Sequence, residues 1–143
     1  MRKLLFFVFL LSNILVAEES LVLSHNRFAI SLYNQKKQTP SNFFFSPFSI
    51  YTALGALYFG AENSTKKEIQ AVLQTHLDKD LFAPAYQKIA QSLQLENFHS
   101  ANALWLEKTL PLLPSYTQYL TSYLQSSIFP VDFLHDSDEV AMD

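Results

Sequence analysis

Four histidines, 13 carboxylates and many serines are the residues of this 143-residue chain whose types could do chemistry. Their spacing argues against most of it. His25, His76, His99 and His135 are widely scattered, and no two have the helical spacing that brings a pair of imidazoles to one zinc ion. The chain has no cysteine, which excludes a thiolate nucleophile, a thiolate metal site and a disulfide. No serine has a base at a spacing that would activate it. Gly55 and Gly60, the two glycines, stand as far apart as those of a phosphate-binding loop, yet Ala61-Glu62 occupies the place of its lysine and hydroxyl residue. The same two glycines exclude a three-glycine dinucleotide loop and a Gly-x-Ser-x-Gly elbow. Asp132, Asp136, Asp138, Glu139 and Asp143 follow Lys108, the last cation, and read as a solvated, helix-capping face rather than a cation site. The tyrosines at 116, 119 and 123 read as a packing stripe. No catalytic residue, metal ligand or cofactor is expected, and the chain does not read as an enzyme.

The elements that would position any site come next. Hydrophobic residues make up 49% and charged residues 16%, which suits a folded chain, and the length suits one domain. A net charge of −3 opposes a surface that tracks nucleic-acid phosphates. Residues 1–17 have the layout of a secretory signal peptide: Arg2-Lys3, an apolar run from Leu4 to Leu11, and a small residue at Ala17. The run is too short and too interrupted for a stable membrane anchor, which needs about 20 apolar residues. Its removal takes away Arg2 and Lys3, moves the net charge to −5 and leaves residues 18–143 as the folded part. Secretion to an extracellular or periplasmic space follows from that reading.

Periodicity predicts a helix over 20–34, with Phe28, Ala29, Leu32 and Tyr33 on one stripe. Phe43-Phe44-Phe45 reads as a short buried strand. Ser46-Pro47 opens a helix to about Phe59 that Gly60 ends, the serine capping and the proline filling the first turn. That helix carries no charge, so it is expected to be buried on every side, with Ala53, Gly55 and Ala56 allowing close neighbours. Thr65 and Glu68 have the spacing of a capping box. Asn63-Ser64-Thr65 is formally a glycosylation sequon, given little weight at a helix start. Asp80 opens a helix with Phe82, Tyr86, Ile89 and Leu93 on one face and Pro84 in its first turn. Residues 98–106 alternate as a strand, and Pro114 opens a helix carrying Tyr116, Tyr119, Leu120, Tyr123 and Leu124. Residues 128–133 read as an edge strand because Pro130 cannot donate to a ladder, and Asp136–Glu139 as a helix start.

Three segments together resemble the serpin family. Asn26-Arg27-Phe28-Ala29-Ile30-Ser31-Leu32-Tyr33 is similar to its first helix. Asn42-Phe43-Phe44-Phe45-Ser46-Pro47-Phe48-Ser49-Ile50-Tyr51-Thr52-Ala53-Leu54, running on to Leu57-Tyr58-Phe59-Gly60-Ala61, is similar to the strand and central buried helix, and is the specific segment. Ala101-Asn102-Ala103-Leu104-Trp105-Leu106 is similar to the second strand of the large central sheet. The resemblance covers nearly all of residues 20–143. It implies an α+β fold: the N-terminal helices plus the first strands of the large sheet, a serpin-like domain that is incomplete and truncated here.

The resemblance also implies a function, suicide inhibition of a serine-type endopeptidase, with serine proteases as partners and cysteine proteases as the alternative class. In the family an exposed loop is cleaved and inserts as a new strand, trapping the acyl-enzyme. Ser46 and Ser49 match the serines of the region where the sheet opens. The reactive loop would lie beyond Asp143, so the chain alone is expected to be inactive, with no reactive-site bond, and to expose hydrophobic surface. Residues 80–95 offer only Lys88, so a heparin site on that helix is not supported. The competing readings are a non-inhibitory serpin-like carrier or chaperone, and a small exported binding module.

Overall fold

The computed structural model describes residues 2–38, 42–96 and 98–135, with side chains from residue 15 onward. The chain divides into two compact units, residues 1–99 and 100–143.

The first unit is helical: α1 (Arg2–Lys36), α2 (Pro47–Gly60), α3 (Asn63–Leu73) and α4 (Lys79–Leu95). α1 packs on the other three helices, and α2 on α3. The helix expected from residue 20 therefore starts at Arg2 and passes without a break through Ala17, which is buried with Leu21, Ser24 and Phe28 on one stripe. No described helix is long and apolar enough to cross a membrane.

Phe82 of α4 is fully buried and centres the core. Tyr51 and Tyr86 stack parallel to its ring at 6.1 and 6.4 Å, and Phe59 meets it edge-on at 5.6 Å. Such ring pairs add to the stabilisation from area burial alone.

Several local expectations are corrected. Phe43-Phe44-Phe45 is irregular rather than a strand, and Phe44 is 99% exposed. The residues have β propensity, but no described strand pairs with them. α2 buries Tyr51, Thr52, Gly55, Tyr58 and Phe59, while Ile50, Ala53 and Leu57 form an exposed apolar stripe along its other side. Gly60 belongs to α2, which ends where Ala61 turns extended. The capping box at Thr65 does not form, because α3 starts two residues earlier at Asn63, with Glu62 as an N-cap that makes no side-chain cap bond. Lys79 instead bonds both the Glu62 carboxylate and the Ala61 carbonyl, tying the end of α2 to the start of α4. The cap of α4 is Asp78, whose carboxylate accepts from Leu81 N–H at 3.1 Å, so Pro84 lies past the first turn.

The second unit is a β-α-β arrangement. β1 (Asn102–Glu107) pairs in parallel with β2 (Ser126–Val131), Leu104 opposite Ile128 and Leu106 opposite Pro130. Parallel strands need a crossover of a dozen or more residues. Here it contains α5 (Pro114–Gln118) and a π-helical turn, Tyr119–Tyr123, closed by Leu124 N–H on Tyr119 C=O at 3.2 Å. The regular helix expected after Pro114 thus widens after one turn, and Leu120 and Leu124, not the tyrosines, are its buried residues. The helix start expected at 136–139 lies outside the described residues.

Candidate functional site

The chemistry-bearing hydroxyls of the first unit converge on α2. Ser46 stands just before the helix in extended conformation, and its Oγ accepts from Ser49 N–H at 3.2 Å. Ser49 Oγ donates to the same oxygen at 3.0 Å. This is an N-cap, with Pro47 in the position where a missing N–H costs nothing. Both sequence-identified serines are brought together, but in a local pair. Among the described residues no imidazole or carboxylate hydrogen-bonds either one, and Ser49 is exposed. The pair holds a helix start, and among the described residues no base adjoins it.

One turn further, Thr52 Oγ1 donates to Phe48 C=O at 2.9 Å and lies 2.6 Å from Tyr86 Oη. The threonine proton is used by Phe48, so the phenol supplies the proton of the second bond. Burial raises the Tyr86 phenol above its ordinary value, which keeps it a donor. Tyr51 Oη donates to Leu73 C=O at 3.2 Å, at the end of α3, and Tyr58 Oη donates to Leu77 C=O at 2.9 Å in the loop that follows. The helix that reads as wholly apolar is thus fixed by four oxygen-bearing side chains, each on a different partner.

His25 of α1 lies beside this helix. Its ring meets Phe48 edge-on at 5.8 Å and Tyr51 at 5.1 Å. Nε2 is buried without a hydrogen-bond partner. Burial lowers the imidazole pKa below its usual 6.5, so the ring is neutral at physiological pH. A surface or core role without metal is the sequence reading, and no group of three possible ligands converges anywhere among the described residues.

In the second unit Asp132 is not the solvated residue that its acidic run suggests. It is buried, with Lys108 Nζ at 2.6 Å and His135 Nδ1 at 2.9 Å, and its Oδ1 accepts the Leu134 and His135 backbone N–H groups at 3.1 and 3.2 Å. Lys108 and then His135 hold its pKa down at about 2. The signal available in the sequence was an aspartate followed by two turn positions, where a carboxylate can bond the backbone two and three residues on. The rest of the acidic run lies outside the described residues. On α4, Lys79 and Lys88 are both paired, with Glu62 and Glu18.

These features define a helical unit joined in sequence to a parallel β-α-β unit, with no assembled catalytic centre among the described residues. Comparison with known proteins supplies the class. The family described as "Serpin (serine protease inhibitor)" matches residues 23–142. The chain belongs to the serpin family.

Ipis-1 of the tick Ixodes persulcatus is 36% identical over 122 residues, covering 81% of this chain and 32% of that protein. An uncharacterized serpin-like protein of the archaeon Methanosarcina acetivorans is 28% identical over 127 residues, 86% of this chain and 30% of its own length. Among solved structures, cleaved Serpin 42Da superposes with a TM-score of 0.78 at 26% identity, covering 88% of this chain and 34% of that one. Native Arabidopsis AtSerpin1 superposes at 0.70 with 25% identity, covering 87% of this chain and 34% of that one. The chain spans about a third of the length of the relatives it matches. The α+β, partial serpin fold expected from the sequence is what these superpositions show.

Proposed function

We propose that residues 18–143 are the N-terminal part of a secreted inhibitor of serine-type endopeptidases, delivered for export by residues 1–17. The observation that carries this reading is the family match over residues 23–142. In the proposed mechanism the larger inhibitor offers a loop to its target peptidase, is cleaved there, and inserts the loop as a strand. Residues 18–143 serve as scaffold. Ser46 and Ser49 hold the start of α2 beside the region where the sheet opens, through the cap bonds at 3.2 and 3.0 Å. Neither serine takes part in covalent chemistry in this reading; among the described residues neither has a base beside it.

In this reading the loop that is cleaved and inserted belongs to the larger inhibitor, and the 143 residues by themselves trap no peptidase. The test is incubation of the purified chain with a panel of chymotrypsin-like and papain-like peptidases. The expected result is full residual activity and no adduct that survives SDS. An SDS-stable adduct with matching loss of activity would overturn it. For the leader, intact-mass analysis of exported protein should give an N-terminus near Glu18, and exported protein that retains residues 1–17 would count against secretion by cleavage.

A further inference from the structure

The walls of one cavity in the first unit bear on a property that protease inhibition does not require. The cavity has a volume of about 240 Å³, lies between α1, α2 and α4, is lined by the rings of Phe48, Tyr51 and Tyr86 and by Leu93, and opens to solvent beside the exposed Val22 and Phe98. Among the described residues no lysine, arginine or carboxylate lines it. The two phenol hydroxyls on its wall are engaged elsewhere, Tyr51 with Leu73 C=O and Tyr86 with Thr52. His25, also on the wall, has its Nε2 buried and without a partner.

These facts decide what can occupy the space. An ordered water needs two to four polar partners, and this wall offers none that is free and accessible. Water that enters through the open side meets apolar walls, and a ligand that displaces it gains dispersion contacts with the lining atoms. An apolar cavity of about 150 Å³ is already large enough to hold benzene. A larger cavity walled by ring faces and edges suits a substituted ring, which would meet those rings in offset or edge-on geometry. A charged ligand would lose its hydration with nothing to replace it.

We propose that this cavity is a binding site for a small uncharged aromatic molecule about the size of a dimethylbenzene, which on binding braces α1, α2 and α4 against one another. The bound ring touches Phe48, two residues after the Ser46 cap, so occupancy stabilises the start of α2. Filling the cavity breaks no hydrogen bond.

The test titrates the purified chain with p-xylene and, in parallel, with 4-methylbenzoate, which has similar bulk and a carboxylate. NMR follows the His25 and Phe98 ring resonances. The expected result is saturable binding of p-xylene with a Kd on the order of 0.1–1 mM, as befits eight heavy atoms. A rise in the unfolding midpoint should accompany it. The carboxylate should bind at least about tenfold more weakly. Leu93→Trp fills the space from α4 and should abolish binding; Val22→Phe fills it from α1 and serves as a second blocked variant should the first fail to fold. Absence of saturable binding by the parent chain would overturn the proposal. So would equal affinity for the carboxylate, or undiminished p-xylene binding in a folded, filled variant.

Discussion

Thr52 of α2 and Tyr86 of α4 meet at 2.6 Å through their side-chain oxygens, buried in the core of the helical unit. The bond joins residues 34 apart in sequence, and Thr52 also closes a local bond to Phe48 C=O. Its two partners make the threonine the more costly residue to lose. Thr52→Val keeps the shape but removes the hydroxyl, leaving the buried Tyr86 phenol without an acceptor. An unsatisfied buried polar group costs about 1–3 kcal/mol. Tyr86→Phe deletes the phenol and leaves Thr52 its bond to Phe48, so it should cost less, about 1 kcal/mol. Urea unfolding of the parent and both variants should rank Thr52→Val as the less stable. The reverse order would mean that the phenol finds another partner when the threonine is gone.

Ser46→Ala removes the oxygen on which both Ser49 N–H and Ser49 Oγ converge. Loss of an N-cap of this kind costs about 1 kcal/mol. Ser49→Ala removes only the hydroxyl-to-hydroxyl bond, on an exposed side chain, and should cost a few tenths of that. Ser46→Asp should restore the cap and add a favourable charge at the positive end of the helix. A parent-like unfolding midpoint in Ser46→Ala would show that the α2 start is held by packing alone.

The start of α2 was legible because capping is local: Ser46-Pro47 fixes a helix start within four residues. The strand read from alternation over 98–106 was legible too, though it forms only over Asn102–Glu107, and so was the parentage of the fold, which the segment from Asn42 to Ala61 carries. What depends on distant neighbours was not. The Phe43–Phe45 run has strand chemistry but pairs with no described strand. α2 reads as uniformly apolar, so its sequence cannot say which face is covered; Tyr51, Thr52 and Tyr58 are on the covered face because their hydroxyls find hydrogen-bond partners on α3, on α4 and in the loop between them. The helix after Pro114 looks regular by period, and the π-helical turn that interrupts it has no local marker. Asp132 reads as one member of an acidic run until Lys108, 24 residues earlier, is brought to it by the parallel pairing of β1 with β2.

Gly55 carries a prediction against its sequence reading as a close-approach glycine. It is buried in the middle of α2, yet a methyl group placed there would meet only the Phe82 ring, at 3.6 Å, ordinary van der Waals contact. Its backbone is helical and φ is not positive. Glycine inside a helix is less stable than alanine by roughly 0.5–1 kcal/mol. Gly55→Ala should therefore stabilise the chain by about that amount, with extra gain from contact with Phe82. Gly55→Leu should destabilise it, since overpacking costs about 1–3 kcal/mol. Thermal unfolding of the two variants checks both signs, and a destabilised Gly55→Ala would mean that Phe82 cannot yield at all.

Two of the perturbed groups, His25 and Asp132, give the chain separate acid responses. Burial lowers the His25 pKa in the folded chain below its usual 6.5. The fold therefore favours the neutral ring, and the stability this contributes is present above pH 6.5 and is lost as pH falls through the lowered value. Protonation would place a charge between Phe48 and Tyr51 with no carboxylate lining the cavity. Unfolding midpoints should fall between pH 7 and pH 5, and His25→Phe, which keeps a ring at the same place, should flatten that fall. Asp132 acts lower. Its folded-state pKa of about 2, against 3.8 unperturbed, means that its contribution is full above about pH 4 and is lost as pH falls towards 2. The Leu134 amide, which donates to the Asp132 carboxylate, should report this directly, its proton shift titrating with a midpoint near 2. Lys108→Met removes the nearest cation and should raise that midpoint towards 3.8. A midpoint already at 3.8 in the parent chain would show that the Lys108–Asp132–His135 cluster does not persist in solution.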